Sequence, residues 1–370
     1  MAFKGAEPDQ QALFPDSLTK RVALPVLDDQ TDIRYFGTVA KTILNRPEAT
    51  GMPFWSINPY IGCALGCAYC YARYAHGYAF ERAAMSNPDR ADVNRDYREM
   101  VPWLAFERRI LVKENAATTL RKTLRQGSDR HAALIKGEAI SIGTATDPYQ
   151  PAERRFRITR SILEVLAEHP GLRIRIITKS PLITRDVDVM RRVLRHSSIH
   201  VHMSLISVDR DLARRIEPRA PTPEARLRAI KRLRDSGIDV GVNVMPILPG
   251  ITDAPEQLDA LVRAIAATGA THVSACALRL QAAARKRYLP FISEEFPHLA
   301  ERYQATYAND FRTGGSYRAG LTRVMTRICE RHGIPYGTYD DGSLPDAWAE
   351  AEAGAEAMNQ LELPLPTTVG

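Results

Sequence analysis

GLRIRIITKSPLITRDVDVMRRVLRHSSIHVHMSL, residues 171–205, holds one complete repeat unit of the fold. The β-branched run RIRIIT (173–178) reads as a strand, and IHVHMSL (199–205) reads as the next one. Between them, Thr184–Arg195 carries apolar residues at helical spacing. A strand, a helix and a second strand in this order imply a parallel pair joined by a right-handed crossover. The same alternation continues on both sides. Further strands are predicted at Ser56–Tyr60, Ala139–Thr144, Asp239–Met245 and His272–Leu278. Further helices are predicted at Trp103–Gln126, Ile158–Glu168, Pro223–Asp235 and Ala254–Thr268. Gly171, Gly237 and Gly269 follow three segments of helical pattern, where a left-handed C-terminal cap favours glycine.

Six such strands over about 225 residues match the size of an incomplete barrel, whose chemistry gathers at the carboxyl ends of its strands. The expected class is therefore α/β, a partial (β/α)6 TIM-like barrel of parallel strands at 51–285. An irregular N-terminal arm (1–50) precedes it, with one short element near Phe36–Leu44. A long polar segment, about Tyr78–Met100, is expected to cap the barrel. A helical extension (286–335) follows, with helices near Glu294–Arg312 and Tyr317–Arg331, and then an acidic, flexible tail (336–370).

Composition narrows the function classes. Of 370 residues, 45% are hydrophobic and 25% charged, which excludes a disordered or collagenous chain. The longest uncharged run, Ala49–Ala72, is broken by Pro53, Asn58, Pro59 and three glycines, so it cannot serve as a lipid-facing helix. The N-terminus lacks the apolar stretch of an export signal, and a cytoplasmic location is expected. Net charge is +7, unevenly spread. Residues 1–331 hold all 50 basic residues and 36 of the 43 acids, so that part carries +14. A basic body suits a polyanionic partner such as nucleic acid, although solvated arginine-rich helix faces give the same sum.

The five cysteines are informative. Cys63, Cys67 and Cys70 lie within eight positions, while Cys276 and Cys329 stand alone. An odd count argues against a disulfide framework. The segment NPYIGCALGCAYCYAR (58–73) has spacing C-x3-C-x2-C in the loop after the first predicted strand. Three thiolates on one loop can bind three irons of a [4Fe–4S] cube and leave the fourth open to a ligand. Gly62 and Gly66 would let the backbone wrap closely around it. A Cys3His zinc knot using His76, or a redox pair Cys67/Cys70, would use the same residues.

With Tyr69 just before the third cysteine, this motif resembles the signature of radical S-adenosylmethionine (SAM) enzymes. GTATDPYQPAE (143–153), ITKSPLITRD (177–186), EPRAPTPEARL (217–227) and PILPGITD (246–253) look like the branch of DNA repair photolyase or spore photoproduct lyase-related proteins. The resemblance covers about residues 36–335. It implies two cofactors, a [4Fe–4S] cluster and SAM, and an enzyme that cleaves SAM reductively to a 5′-deoxyadenosyl radical. It places Cys63, Cys67 and Cys70 on iron and Tyr69 beside cluster and adenine. Gly143, Thr144, Thr146 and Asp147 would meet the SAM amino group. Lys179, Ser204 and Asn243 would meet its carboxylate and ribose, and Pro246 and Leu278 its adenine.

Arg73, His76, Tyr149, Glu217 and Arg219 are candidates for the substrate side. Ordinary roles compete for several of these residues. Thr146-Asp147-Pro148 can be a turn or a helix cap, and Glu217 with Arg219 a surface charge pair. The cysteine that spore photoproduct lyases use as hydrogen donor aligns with Ala145, which puts thymine-dimer reversal by that route in question. Cys276 and Cys329 read as buried small hydrophobes and are too few for a second cubane.

The resemblance implies nucleic acid as substrate, with RNA or a small metabolite as the rival. A non-catalytic iron–sulfur or zinc protein would not need six βα units. A flavodoxin- or ferredoxin-type reductant is implied as partner. Gln360-Leu-Glu-Leu-Pro364 resembles a sliding-clamp docking peptide whose aromatic is replaced by proline.

Overall fold

In a computed structural model, residues 26–30, 32–73, 100, 102–125 and 128–338 are described. Their strands, in chain order, are β1 (Val26–Gln30), β2 (Ile33–Thr38), β3 (Leu44–Asn45), β4 (Trp55–Ile57), β5 (Tyr60–Ile61), β6 (Arg109–Lys113), β7 (Ala139–Ile142), β8 (Arg173–Thr178), β9 (Ser198–Ser204), β10 (Asp239–Ile247), β11 (Val273–Ala277) and β12 (Tyr336–Thr338). The larger sheet runs β12-β11-β10-β9-β8-β7-β4-β3. From β4 to β12 every pairing is parallel, and only β3 runs against its neighbour. This is the expected partial barrel, with one parallel strand more than the six read from the pattern.

Alternation gives the sheet two faces. Ile174, Ile176, Val201, Met203, Val240, Val242 and Val244 are fully buried under the helices Ile158–Leu166, Val187–Val193, Pro223–Asp235 and Pro255–Ala266. Each such side chain contributes about 1.5–3 kcal/mol of burial free energy. The alternate residues, among them Arg175, His200, His202, Ser204 and Asn243, lie on the opposite, concave face. Gly171, Gly237 and Gly269 all have the positive φ expected of caps.

Five expectations change. The flexible tail expected from residue 336 opens instead with β12, which pairs with β11 at the edge of the large sheet, and residues 339–370 lie outside the described residues. The helix predicted over Trp103–Gln126 is two helices, Pro102–Arg108 and Ala116–Thr123, separated by β6. Ile110, Leu111 and Val112 are buried in β6 between β2 and β5, so tertiary pairing overrides the helical period. The N-terminal arm is not irregular past residue 26. Its strands β1 and β2 join β6 and β5 in a second sheet of order β1-β2-β6-β5, and the single element expected near Phe36–Leu44 is the end of β2 and the start of β3. The strand predicted at Ser56–Tyr60 divides at Asn58-Pro59, where proline offers no N–H, and its halves enter different sheets. In the C-terminal part the first helix is Ala282–Glu295, followed by Ala300–Thr306 and Gly315–Arg331. The polar segment Tyr78–Met100 lies outside the described residues except for Met100.

Candidate active site

The cysteine loop leaves β5 at Gly62, so the small sheet delivers it to the carboxyl ends of the large one. Cys63 and Cys67 are buried, Cys70 is half-buried, and none is in a disulfide. All three sit in a second apolar cluster with Leu65, Tyr69, Phe106, Leu278 and the ring-rich helices Ala282–Glu295 and Ala300–Thr306. The C-terminal extension thus covers this loop.

Backbone and side-chain bonds fix the loop at nearly every residue. Cys63 N–H donates to Phe106 O at 2.9 Å, and Ala68 N–H to Ile216 O at 3.0 Å. Gln150 accepts from Ala64 N–H at 2.9 Å and donates to Gly62 O at 3.1 Å, which also accepts from Thr146 Oγ1 at 2.6 Å. Arg73 donates to Cys67 O at 2.7 Å and to Glu107 at 2.7 Å. Arg219 donates to Ala64 O at 2.6 Å and to the other oxygen of Glu107 at 2.5 Å. A single buried carboxylate, Glu107, therefore holds two arginines that grip the loop from both sides. Gly66 sits beneath this grip with φ +66°, and a Cβ there would lie 2.3 Å from Arg219 Nη2. Only glycine satisfies both conditions.

Tyr69 donates its hydroxyl to Glu217, which also accepts from Arg226. Burial disfavours the Glu217 charge, but Arg226, Lys179 and the Tyr69 hydrogen bond outweigh it and keep the carboxyl below its ordinary pKa. Burial likewise disfavours the Lys179 charge, yet Cys67 once it is a thiolate, and the carboxylates of Glu217 and Asp147, favour it and hold its ammonium above the ordinary lysine value. Lys179 Nζ stands 5.6 Å from the Tyr69 ring centroid. Burial pushes the Cys63 thiol up to about 12 and raises Cys67 and Cys70 as well. The loop without metal thus holds neutral thiols, and any metal must displace their protons.

The remaining sequence candidates fall at strand ends. Gly143 has φ +95°, donates to Ile57 O at 3.0 Å, and has no room for a Cβ, which would meet Ile177 O at 2.6 Å. Thr144 Oγ1 accepts from Asn58 at 3.1 Å, and its carbonyl accepts from Tyr71. Asp147 accepts from Thr178 Oγ1 at 2.7 Å, Tyr149 N–H at 2.9 Å and Lys179 N–H at 2.7 Å, so its carboxylate locks the ends of β7 and β8 together. Ser204 and Asn243 are partners across the β9–β10 ladder, both buried, and Asn243 Oδ1 has no hydrogen bond. Pro246 follows a cis peptide near the end of β10, and Leu278 N–H donates to Ile247 O at 3.0 Å.

The substrate-side candidates divide. Arg73, Glu217 and Arg219 brace the cysteine loop, as above, so the Glu217–Arg219 surface pair does not form. Tyr149 is buried in the main core at 1% exposure. His76 and Gln360–Pro364 lie outside the described residues. Cys329 is in the main core, and Cys276 is half-buried on β11. Four bracing residues went unassigned from sequence: Asn58, Glu107, Gln150 and Arg226. Asn58, Gln150 and Arg226 stand inside motifs quoted for the resemblance, whereas Glu107 carries no sequence signal because it sits in an amphipathic helix like any solvated acid.

The donor set fits an iron–sulfur centre in its chemistry: three disulfide-free cysteines lie on one loop, beside a charged lysine and near the unpaired Asn243 Oδ1. Without metal their three sulfurs are not gathered into one ligand group as His200, His202 and His272 are. The family model of the Radical SAM superfamily matches residues 57–262, across β4 to β10. The chain belongs to this superfamily. As a radical SAM protein it uses a [4Fe–4S] cluster and SAM. An uncharacterised protein of Mycobacterium tuberculosis, Rv2578c, is 34% identical over 330 residues, 89% of this chain and 88% of that one. An uncharacterised protein of Methanocaldococcus jannaschii, MJ0683, is 30% identical over 214 residues, 58% of this chain and 68% of that one. Among solved structures, a spore photoproduct lyase variant with bound AdoMet and dinucleoside spore photoproduct matches with TM-score 0.57. Identity is 16%, covering 82% of this chain and 81% of that one. At that identity the likeness is one of fold. Among the described residues no helix is long and apolar enough to cross a membrane.

Proposed function

We propose that this radical SAM enzyme acts on nucleic acid, with Cys63, Cys67 and Cys70 as the iron ligands. The single observation that carries the site assignment is the disulfide-free thiol trio, two buried and one half-buried, on a loop clamped at the carboxyl end of the barrel. When bound, the cluster supplies the electron that cleaves the sulfonium S–C5′ bond of SAM. The protein's own part is positional. Lys179, kept charged by Glu217, presents an ammonium over Tyr69 for the SAM carboxylate. Backbone at Gly143–Thr146 presents polar groups for the amino group, and Ser204 with the unpaired Asn243 Oδ1 receives ribose hydroxyls. Pro246 and Leu278 flank the adenine. The C-terminal aromatic cluster keeps bulk water from the loop. The electron comes from an external reductant, of flavodoxin or ferredoxin type.

Two features support nucleic acid as substrate: the +14 body and the motifs shared with the photolyase-like branch. Ala145 has no S–H to donate to a product radical, so that hydrogen would come from another group or from the methyl of 5′-deoxyadenosine, whose radical would then re-form SAM. The test is anaerobic reconstitution with dithionite and SAM, followed by measurement of 5′-deoxyadenosine and of binding to DNA and RNA across salt concentrations. Deoxyadenosine release and a log affinity that falls linearly with log salt are expected. A cubane signal without any deoxyadenosine, even from uncoupled cleavage in the absence of substrate, would refute the enzyme reading, and equal affinity at all salt concentrations would refute the polyanion.

A further inference from the structure

A second group of metal-ligating side chains occupies the concave face. His200 and His202 alternate with the buried Ile199, Val201 and Met203 on β9, so both rings leave the helix-packed side. His272 stands just before β11, two strands away. β10 lies between them and offers Gly241, the ladder partner of His202. A Cβ on Gly241 would fall 2.2 Å from His272 Cε1 and 2.4 Å from its Nε2. Only the missing side chain lets the His272 ring lie across β10 and meet the other two. Ring centroids are 4.7 Å apart for His200–His202, 5.1 Å for His200–His272 and 5.7 Å for His202–His272. One nitrogen from each ring lies within 4.8 Å of the others.

The hydrogen bonds leave lone pairs available. Thr271 Oγ1 lies 3.1 Å from Val240 O and 3.2 Å from His272 Nδ1, and when its one proton goes to the carbonyl it accepts from the imidazole. Nδ1 of His272 then carries the hydrogen, and Nε2 keeps its lone pair. His200 Nε2 is buried with no hydrogen bond, and His202 Nδ1, which makes no full hydrogen bond either, has the Asn243 side chain beside its ring, where it favours the protonated imidazole. Leaving such groups unpaired is unfavourable, and a bound ion would relieve it. Burial lowers the His200 pKa to about 4 and that of His202 to about 3, with His272 lowered too, so all three rings are neutral near pH 7. The charged groups nearby are Arg175, the ladder partner of His200, together with Arg234 and Asp239, which pair at 2.6 Å.

We propose that His200, His202 and His272 form a second metal site, selective for a divalent transition ion of the zinc class and distinct from the cysteine loop. Three neutral imidazoles with an open fourth position suit zinc, cobalt, nickel or copper, and not magnesium or calcium. The site lies toward the amino ends of the strands. At about 3.3 Å per residue, His202 and His200 sit roughly 7 and 13 Å below Ser204.

The experiment titrates cobalt(II), with its visible ligand-field bands as readout, into two forms of the full chain. One is the reconstituted protein, and the other carries Cys63→Ser, Cys67→Ser and Cys70→Ser. One equivalent with nitrogen-ligand bands is expected in both. His202→Asn and His272→Asn should weaken it about 100-fold or more, since losing only a supporting residue costs about 10–100-fold. Thr271→Val should weaken it about tenfold at unchanged melting temperature, and it serves where the histidine variants do not fold. No one-equivalent site in the cysteine variant overturns the proposal, as does equal affinity in folded histidine variants or in Thr271→Val. The rings would then only fill the space under β10.

Discussion

Glu107 is the residue on which the cysteine loop depends most. It is 3% exposed and balances two guanidinium groups that hold carbonyls of the loop. Removing one partner of a buried ion pair leaves an uncompensated charge and costs about 3–5 kcal/mol. Glu107→Gln is therefore expected to lower stability in urea by about 3 kcal/mol and to reduce reconstituted iron per chain; unchanged iron content would contradict the clamp. Lys113 is the opposite case. Burial alone lowers its pKa to about 8, and Nζ has the Asn58 carbonyl at 2.8 Å. The folded chain gives up this proton near pH 8 and the unfolded chain near 10.5, so the lysine opposes folding below pH 8 and the cost fades as pH rises between those values. Lys113→Met is expected to stabilise by about 1–2 kcal/mol at pH 7. Chemical melts across that range should show the gain shrinking toward pH 10.5, and a pH-independent difference would contradict the assignment.

At the scale of elements, short connections between strand and helix do the positioning. The loop at Gly66 must take a left-handed turn under Arg219, so Gly66→Ala is expected to abolish cluster assembly while leaving the far-UV spectrum of the barrel intact. Full iron loading in that variant would show that the loop can relax. The helix Pro223–Asp235 begins at Thr222, whose Oγ1 accepts from Ala225 N–H, and carries Arg226 to Glu217 one turn later. Thr222→Ala should cost about 1 kcal/mol of stability, read by thermal melting.

For the whole molecule, two sheets share one task. The large parallel sheet provides strand ends, and the small sheet feeds the cysteine loop onto them through β5. Ile33, Tyr35 and Phe36 on β2 are buried against this arrangement. Deleting residues 1–38 is expected to reduce iron occupancy and melting temperature together. A truncated chain that loads iron like the full one would mean the arm is dispensable.

Local pattern was enough for the barrel strands, since Val, Ile and Leu at period two and helices ended by glycine are signals carried by neighbours in sequence. The thiol spacing was equally legible, because three ligands within eight residues need no folding partner to be read. The β6 run is not legible locally, because Arg109–Lys113 continues a helical pattern and becomes a strand only when β2 and β5 lie beside it. Only tertiary contact shows that Arg73 and Arg219 share the carboxylate of Glu107 and that Glu217 is bound to Tyr69 and Arg226, since these partners lie far from them in sequence or carry no local signal. His272 reaches His200 and His202 only through the gap that Gly241 leaves, a proximity made by sheet register across seventy residues and invisible in any local window.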